Sequence, residues 1–167
     1  MSADPGDVLD ALSRAQDAFD EKGEGIPHSE ANIDTDDEWT VQLTKACRLL
    51  EAGQTLAGQD GYYTAVIELS FGALERSIQA YICWQGDDVL ADFRDHEFAY
   101  RRAHETGLLE EETAEVIEAL YASNRTESYY GGKRPTDRQA DSMVGVATSV
   151  HEFVRDQIRQ GGVCTCE

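Results

Sequence analysis

The residues best suited to chemistry lie in one short segment of the chain. Between positions 124 and 135 the sequence reads NRTESYYGGKRP. Arginine and lysine bind phosphate through charge-assisted hydrogen bonds, and hydroxyls and carboxamides add further hydrogen bonds. We therefore expect an anionic ligand at this segment. Its ligand-binding candidates are Asn124, Glu127, Tyr129, Lys133 and Arg134.

A plainer interpretation is a polar helix end, in which Arg125 pairs with Glu127 or with a neighbouring acid. The distribution of charge favours a ligand, because nine of the fourteen basic residues lie from Arg94 onward. Residues 1–38, in contrast, carry twelve acidic residues and two basic ones. The two interpretations differ in whether Arg125 faces a cleft.

The whole chain is strongly acidic. Its 167 residues have a net charge of −19, and eleven of the fourteen basic residues are arginine. This composition is typical of a halophilic cytoplasm, where the Debye length falls to about 3 Å at 1 M salt. Phosphate would then have to be held by fixed arginine contacts instead of long-range attraction. An acidic protein of an ordinary organism is the alternative.

Several classes of protein are not expected from this sequence. The first residues, MSADP, resemble no secretory signal, and no apolar run approaches the roughly 18 residues of a membrane span. No phosphate-binding loop or nucleophile elbow is present, and His96-Glu97 is no metalloprotease motif because position 100 is tyrosine. We therefore expect a cytoplasmic protein without membrane contact, metal or cofactor. His96 is expected to be structural.

The hydrophobic pattern predicts an almost entirely helical chain without strand-like alternation. An antiparallel helical bundle of about five to six helices is the economical fold. Glycine and proline divide the chain into an acidic N-terminal helix and linker (1–37), a bundle (38–160) and a C-terminal tail (161–167) with Cys164 and Cys166. We expect these two cysteines to be mobile thiols, with a metal or redox role as the alternative.

The residue spacing also predicts details of the helices. The segment from Tyr62 to Trp84 is the most apolar and is predicted to be the central helix. Cys47 and Cys83 are expected to be buried thiols, because an intracellular setting disfavours disulfides. The predicted helix starts are Asp4 with Pro5, Thr35 with Glu38, and Thr136 with Gln139. The predicted inner positions of the helix that ends at Asn124 are Thr113, Val116, Ile117 and Leu120.

From Tyr62 to Val154 the order of these features resembles an HEPN domain, the nucleotide-binding helical domain of prokaryotes and higher eukaryotes. The family combines an alanine-rich helix, a short helix that opens with histidine, an arginine motif, and a final helix behind a threonine cap. The matching features here are YTAVIELSFGALER (63–76), Asp95-His96-Glu97-Phe98, Arg125 and Thr136. The family's motif is Arg, four to six residues, His; this chain has Arg125, four residues and Tyr130.

The resemblance implies a homodimer in which two arginine motifs face each other across a cleft. Many members cut RNA without metal in toxin–antitoxin or defence systems. In that chemistry an arginine neutralises the scissile phosphate and a histidine of near-neutral pKa moves the proton. The resemblance makes Arg125 and Tyr130 the candidate catalytic residues. A phenol is a poor substitute for the histidine, so we expect little or no hydrolysis; His96 and His151 are other proton carriers, outside the motif position.

Four functions follow as hypotheses. The first is an HEPN-like dimeric module that binds nucleotide or RNA, or a partner protein, with little or no hydrolysis. The second is a slow, metal-independent ribonuclease that uses Arg125 and Tyr130. In the third, a partner nucleotidyltransferase adds AMP to Tyr129 or Tyr130. The fourth is a purely structural adaptor, in which Arg125 forms an intramolecular ion pair.

Overall fold

The structure is a computed structural model that describes residues 4–86 and 88–158, except for the side chains of residues 128 and 129. Helices make up 72% of it, and no strand occurs within these ranges, which confirms the predicted all-α bundle. The helices are α1 (Pro5–Phe19), α2 (Glu38–Ala57), α3 (Tyr63–Gln85), α4 (His96–Glu105), α5 (Glu111–Asn124) and α6 (Asp137–Gln157). A 3-10 turn covers Leu90–Asp92, and a π-helical segment covers Arg125–Tyr130. No helix in the described ranges is both long and apolar enough to cross a membrane.

The chain forms two compact units, divided between Ala31 and Asn32. The first unit contains α1, whose cap is as predicted: the Asp4 carboxylate accepts a hydrogen bond from the Gly6 N–H at 3.0 Å. The second unit begins before the predicted boundary at residue 38. The Asp34 N–H donates to the Thr44 hydroxyl at 3.1 Å, and this bond ties the segment before α2 to α2 itself.

Helices α2 and α3 form an antiparallel hairpin. The Arg76 guanidinium donates to the Gln42 carboxamide at 2.9 Å, and Leu49 lies against Gly72, where a Cβ atom would approach the Leu49 side chain to 3.3 Å. In these two pairs the residue number increases from 42 to 49 in α2 and decreases from 76 to 72 in α3, so the two helices run antiparallel. The prediction that Thr35 caps α2 is wrong, because Asp37 is the N-cap residue.

Helix α3 is the central helix, as predicted, and it contacts α2, α4 and α6. It buries side chains on several faces, so most of its side chains must be either apolar or hydrogen-bonded. The buried residues of α3 are Val66, Ile67, Ser70, Phe71, Ala73, Leu74, Glu75, Ser77, Ile78, Ala80, Tyr81 and Ile82. Helix α6 begins at the predicted cap, where the Thr136 hydroxyl accepts from the Gln139 N–H at 3.2 Å.

The predicted inner side of α5 is partly wrong. Ile117 is buried, but the other buried positions of α5 are Ala114 and Tyr121. Val116 is 62% exposed and Leu120 is 42% exposed. The buried stripe of a helix follows the positions of its neighbours, and here that stripe includes a tyrosine whose hydroxyl remains available for a hydrogen bond.

The cysteines also depart from expectation. Cys47 is fully buried, as expected, but it is disulfide-bonded. The only other cysteine in the described ranges is Cys83, whose thiol is free and partly buried. Burial, reinforced by the charge of Glu38, raises the pKa of Cys83 to about 12. Sulfur–sulfur proximity is a tertiary property that spacing along the chain does not encode. Cys164 and Cys166 lie outside the described residues.

A buried histidine joins α6 to α3. His151 is 1% exposed, and its Nδ1 lies 2.9 Å from the Ser77 hydroxyl oxygen. That hydroxyl donates to the Ala73 carbonyl, so the neutral ring donates its Nδ1 proton to Ser77. Burial, with a smaller contribution from Arg155, lowers the pKa of His151 from 6.5 to about 4.

We therefore expect His151 to make folding less stable in mild acid. Between pH 6.5 and about pH 4, His151 is protonated in the unfolded chain but neutral in the folded protein. Acid therefore favours the unfolded chain, and the free energy of unfolding falls as the pH decreases through this range. At pH 5 the loss relative to pH 7 is about 2 kcal/mol. Urea unfolding of wild type and His151→Gln at both pH values measures it. An equal pH dependence in both proteins would contradict this prediction.

Candidate functional site

The structure separates the predicted segment into two clefts. Asn124, the last residue of α5, lines one cleft, and Arg125, the first residue of the π-helical segment, lines another. The first, called here the α6 cleft, is bordered by α3, α5, α6 and the turn that precedes α6. The second, the α3 groove, is bordered by α3, α4 and α5. Phe71 of α3 lines both.

Arg125 faces the α3 groove and contacts aromatic residues. Its Nη1 donates to the Tyr121 hydroxyl at 2.8 Å, and its Cζ lies 5.7 Å from the Tyr121 ring centroid. Hydrogen bonds to the phenols of Tyr121 and Tyr130 raise the pKa of Arg125. Within the described residues Arg125 forms no ion pair, and Glu127 pairs with Lys133 at 3.0 Å. The arrangement expected of a purely structural adaptor, an ion-paired Arg125, is therefore not found there.

A buried carboxylate forms the inner wall of the α3 groove. Glu75 is 7% exposed, and its two oxygens have different partners. The Tyr100 hydroxyl donates to Oε1 at 2.8 Å, and the His96 Nδ1 lies 2.6 Å from Oε2. Burial, followed by the charge of Glu75, raises the pKa of Tyr100. The carboxylate therefore holds the His96 and Tyr100 side chains of α4 in place.

His96, which the sequence predicts to be structural, lies where it can act as a functional group. It is the first residue of α4, behind the Asp95 cap, whose carboxylate accepts from the Phe98 N–H at 2.7 Å. Its ring lies 5.2 Å from the Tyr121 ring, and its side chain is 55% exposed in the groove that also contains Arg125. The sequence signal was the four-residue spacing of His96 and Tyr100, which places both on one helix face.

The α3 groove continues past His96 into an adjoining cleft. The α3 groove has a volume of about 260 Å³ and the adjoining cleft one of about 340 Å³. Both are lined by Gly72, Glu75 and His96. The neighbouring cleft adds Arg76, which is held by Gln42, and Arg94, whose Nε donates to the Ala91 carbonyl at 3.3 Å. Within the described part of the chain neither guanidinium pairs with a carboxylate.

The remaining predicted residues belong to the α6 cleft or its surroundings. Asn124, Glu127, Lys133 and Arg134 line this cleft. Tyr130 is 75% exposed, and the Tyr129 side chain lies outside the described residues. The turn between the π-helical segment and α6 requires glycine at position 131, because a Cβ there would approach the Glu127 carbonyl oxygen to 2.8 Å.

The geometry of the α3 groove suits an anionic phosphate ester. Arg125 lines the groove together with His96, and Arg76 and Arg94 line the adjoining cleft, which His96 also lines. The His96 Nδ1 is held by the Glu75 carboxylate, so its Nε2 is the nitrogen available to a ligand. A carboxylate–imidazole pair of this kind can orient a histidine for proton transfer. Among the described residues no cluster of three or more histidine, cysteine, aspartate or glutamate side chains is arranged to hold a metal ion.

Comparison with known proteins assigns the chain to a family. Residues 3–166 match the family described as a domain of unknown function (DUF8154), so the chain belongs to that family over nearly its whole length. Neither a curated protein nor a solved structure matches the chain.

The Glu75 pair with Tyr100 leads to a stability prediction. We expect Tyr100→Phe to lower the free energy of unfolding by about 2 kcal/mol, because a buried carboxylate loses a hydrogen-bond donor. The same change in a Glu75→Gln background should cost clearly less, because no charge remains to be solvated. Urea unfolding of the four proteins measures the coupling. The exposed Tyr62→Phe is the control, and equal losses in both backgrounds would refute the prediction.

Proposed function

We propose that this protein is an HEPN-like, dimeric module that binds a nucleotide or RNA in the α3 groove, with little or no hydrolysis of its own. The proposal depends on the surroundings of the Arg125 guanidinium. This guanidinium lines an open groove, is held by the Tyr121 hydroxyl at 2.8 Å, and pairs with no carboxylate among the described residues. A positioned guanidinium of this kind offers hydrogen-bond donors to a phosphate.

The rest of the groove supports a ligand longer than a single phosphate. Arg76 and Arg94 line the adjoining cleft and Arg125 lines the α3 groove, so a guanidinium occurs in each of the two clefts that His96 lines. The linings of the two clefts contain three guanidiniums and the carboxylates of Glu68, Glu75 and Asp95, and in the described ranges none of the three guanidiniums forms an ion pair. Successive phosphates of a short RNA would meet successive arginines along such a groove.

The cellular setting forms part of the proposal. The acidic, arginine-biased composition favours a salt-adapted cytoplasm. The resemblance adds a toxin–antitoxin or defence system, a homodimer in which two Arg125 residues face each other, and a nucleotidyltransferase as partner. The exposed Tyr130 would be accessible to such an enzyme.

Calorimetric titration with a short single-stranded RNA and with free nucleotides, in molar KCl, tests the proposal. We expect wild type to bind and Arg125→Ala to bind at least about tenfold more weakly, because a charge-assisted hydrogen bond to phosphate is lost. Arg101→Ala is the matched control, since Arg101 lies over the Phe98 ring on α4 and lines neither cleft. Absence of wild-type binding, or equal weakening by both substitutions, would overturn the proposal.

The position of His96 favours ribonuclease activity as a second candidate function. His96 Nε2 would take the proton of a ribose 2′-hydroxyl while that oxygen bonds to phosphorus, and Arg125 would neutralise the phosphate. The bond from phosphorus to the 5′-oxygen then breaks, and the leaving oxygen receives a proton from the imidazolium or from the Tyr130 hydroxyl. Glu75 holds Nδ1, which leaves Nε2 for this proton transfer.

The ribonuclease candidate predicts that end-labelled RNA is cut by wild type in the presence of EDTA. The cut should disappear in both His96→Ala and Arg125→Ala, and it should persist in Arg101→Ala. Gel analysis from mildly acidic to alkaline pH provides the measurement. RNA that stays intact with wild type throughout removes this candidate and leaves the binding proposal standing.

A further inference from the structure

The α6 cleft has the size and shape of a small-molecule site. Its volume is about 340 Å³, within the range of roughly 300–1,000 Å³ found for ligand pockets. It is lined by α3 and α6, and it shares Phe71 with the α3 groove but is not lined by Arg125. The cleft is therefore separate from the groove to which we assign the nucleotide or RNA.

The floor of the cleft is apolar. Ile67, Phe71 and Met143 are each less than 10% exposed and belong to the hydrophobic core, and Leu120 and Val146 form the walls above them. Leu120 is 42% exposed. Contact of this apolar side chain with water is unfavourable, and a ligand with an apolar body would cover it. An apolar body, instead of a hydrated ion, fits this floor.

The rim of the cleft is cationic. Lys133, Arg134 and Arg138 line it, and the single acidic residue of the lining, Glu127, is already paired with Lys133 at 3.0 Å. Neither the Arg134 nor the Arg138 guanidinium pairs with a carboxylate in the described ranges. Two unneutralised guanidiniums at the mouth of an apolar pocket complement one anionic head group.

We propose that the α6 cleft binds a small amphiphilic anion, that is, a molecule with an apolar body and one phosphate or carboxylate group. The body would lie on Phe71 and Met143, and the head group would contact Arg134 and Arg138. The carboxamide of Asn124 and the hydroxyl of Ser142 line the same cleft and provide hydrogen bonds to polar edges of the ligand. This site is independent of Arg125.

Fluorescence titration with 1-anilinonaphthalene-8-sulfonate, an amphiphilic organic anion, tests the proposal on the folded full chain. We expect one molecule to bind per protomer and about tenfold weaker binding in the double variant Arg134→Gln/Arg138→Gln. Ser142→Trp, at an exposed position of α6, should fill the cleft and abolish binding. Arg101→Gln is the matched control, and circular dichroism verifies that each variant is folded.

Competition then identifies the head group. 1-Naphthyl phosphate, 1-naphthoate and AMP are compared with the neutral 1-naphthalenemethanol. Displacement by any of the three anions, but not by the neutral compound, supports the proposal and assigns the head group. Equal displacement by the neutral compound, or wild-type affinity in the double variant, overturns it. Arg125→Ala should bind the probe as wild type does, so failure of this proposal is distinguishable from failure of RNA binding at the α3 groove.

Discussion

The arrangement around Arg125 depends on one buried charge, the carboxylate of Glu75. It lies in the middle of the central helix, where an unpaired carboxylate would carry a large desolvation cost. Its two oxygens are therefore occupied, one by the Tyr100 hydroxyl and the other by the His96 ring. Both partners belong to α4, so the same interaction docks α4 on α3 and places an imidazole in the α3 groove. Tyr121 packs against both rings and in turn holds Arg125.

The π-helical segment explains why one short stretch of sequence serves two clefts. A wider helical turn changes the direction of successive side chains, and such turns often occur at functional sites. Asn124 and Glu127 line the α6 cleft, whereas Arg125 lines the α3 groove. Phe71 lines both clefts, so a change in the packing of this ring would alter the shape of both. The two proposed sites are thus neighbours that have only the Phe71 ring in common.

Unpaired arginines are the clearest electrostatic signal in this acidic chain. The lysines and arginines of the described ion pairs are Lys22, Arg48, Arg102 and Lys133, none of which lines the α3 groove. Arg76, Arg94 and Arg125 instead use neutral partners, namely a carboxamide, a backbone carbonyl and a phenol. Neutral partners fix a guanidinium in position without cancelling its charge, so the charge remains available to an anion.

The all-α class, the central helix and the caps at Asp4 and Thr136 are predictable from the sequence alone, because they follow from local periodicity and from hydrogen bonds between residues two or three positions apart. The sequence also directs attention to the segment around Arg125. Three features arise from tertiary packing: the contact of His96 with Glu75, the disulfide bond of Cys47, and the placement of Asn124 and Arg125 in different clefts. Each of these depends on how helices distant in sequence pack, and spacing along a single helix carries no such information.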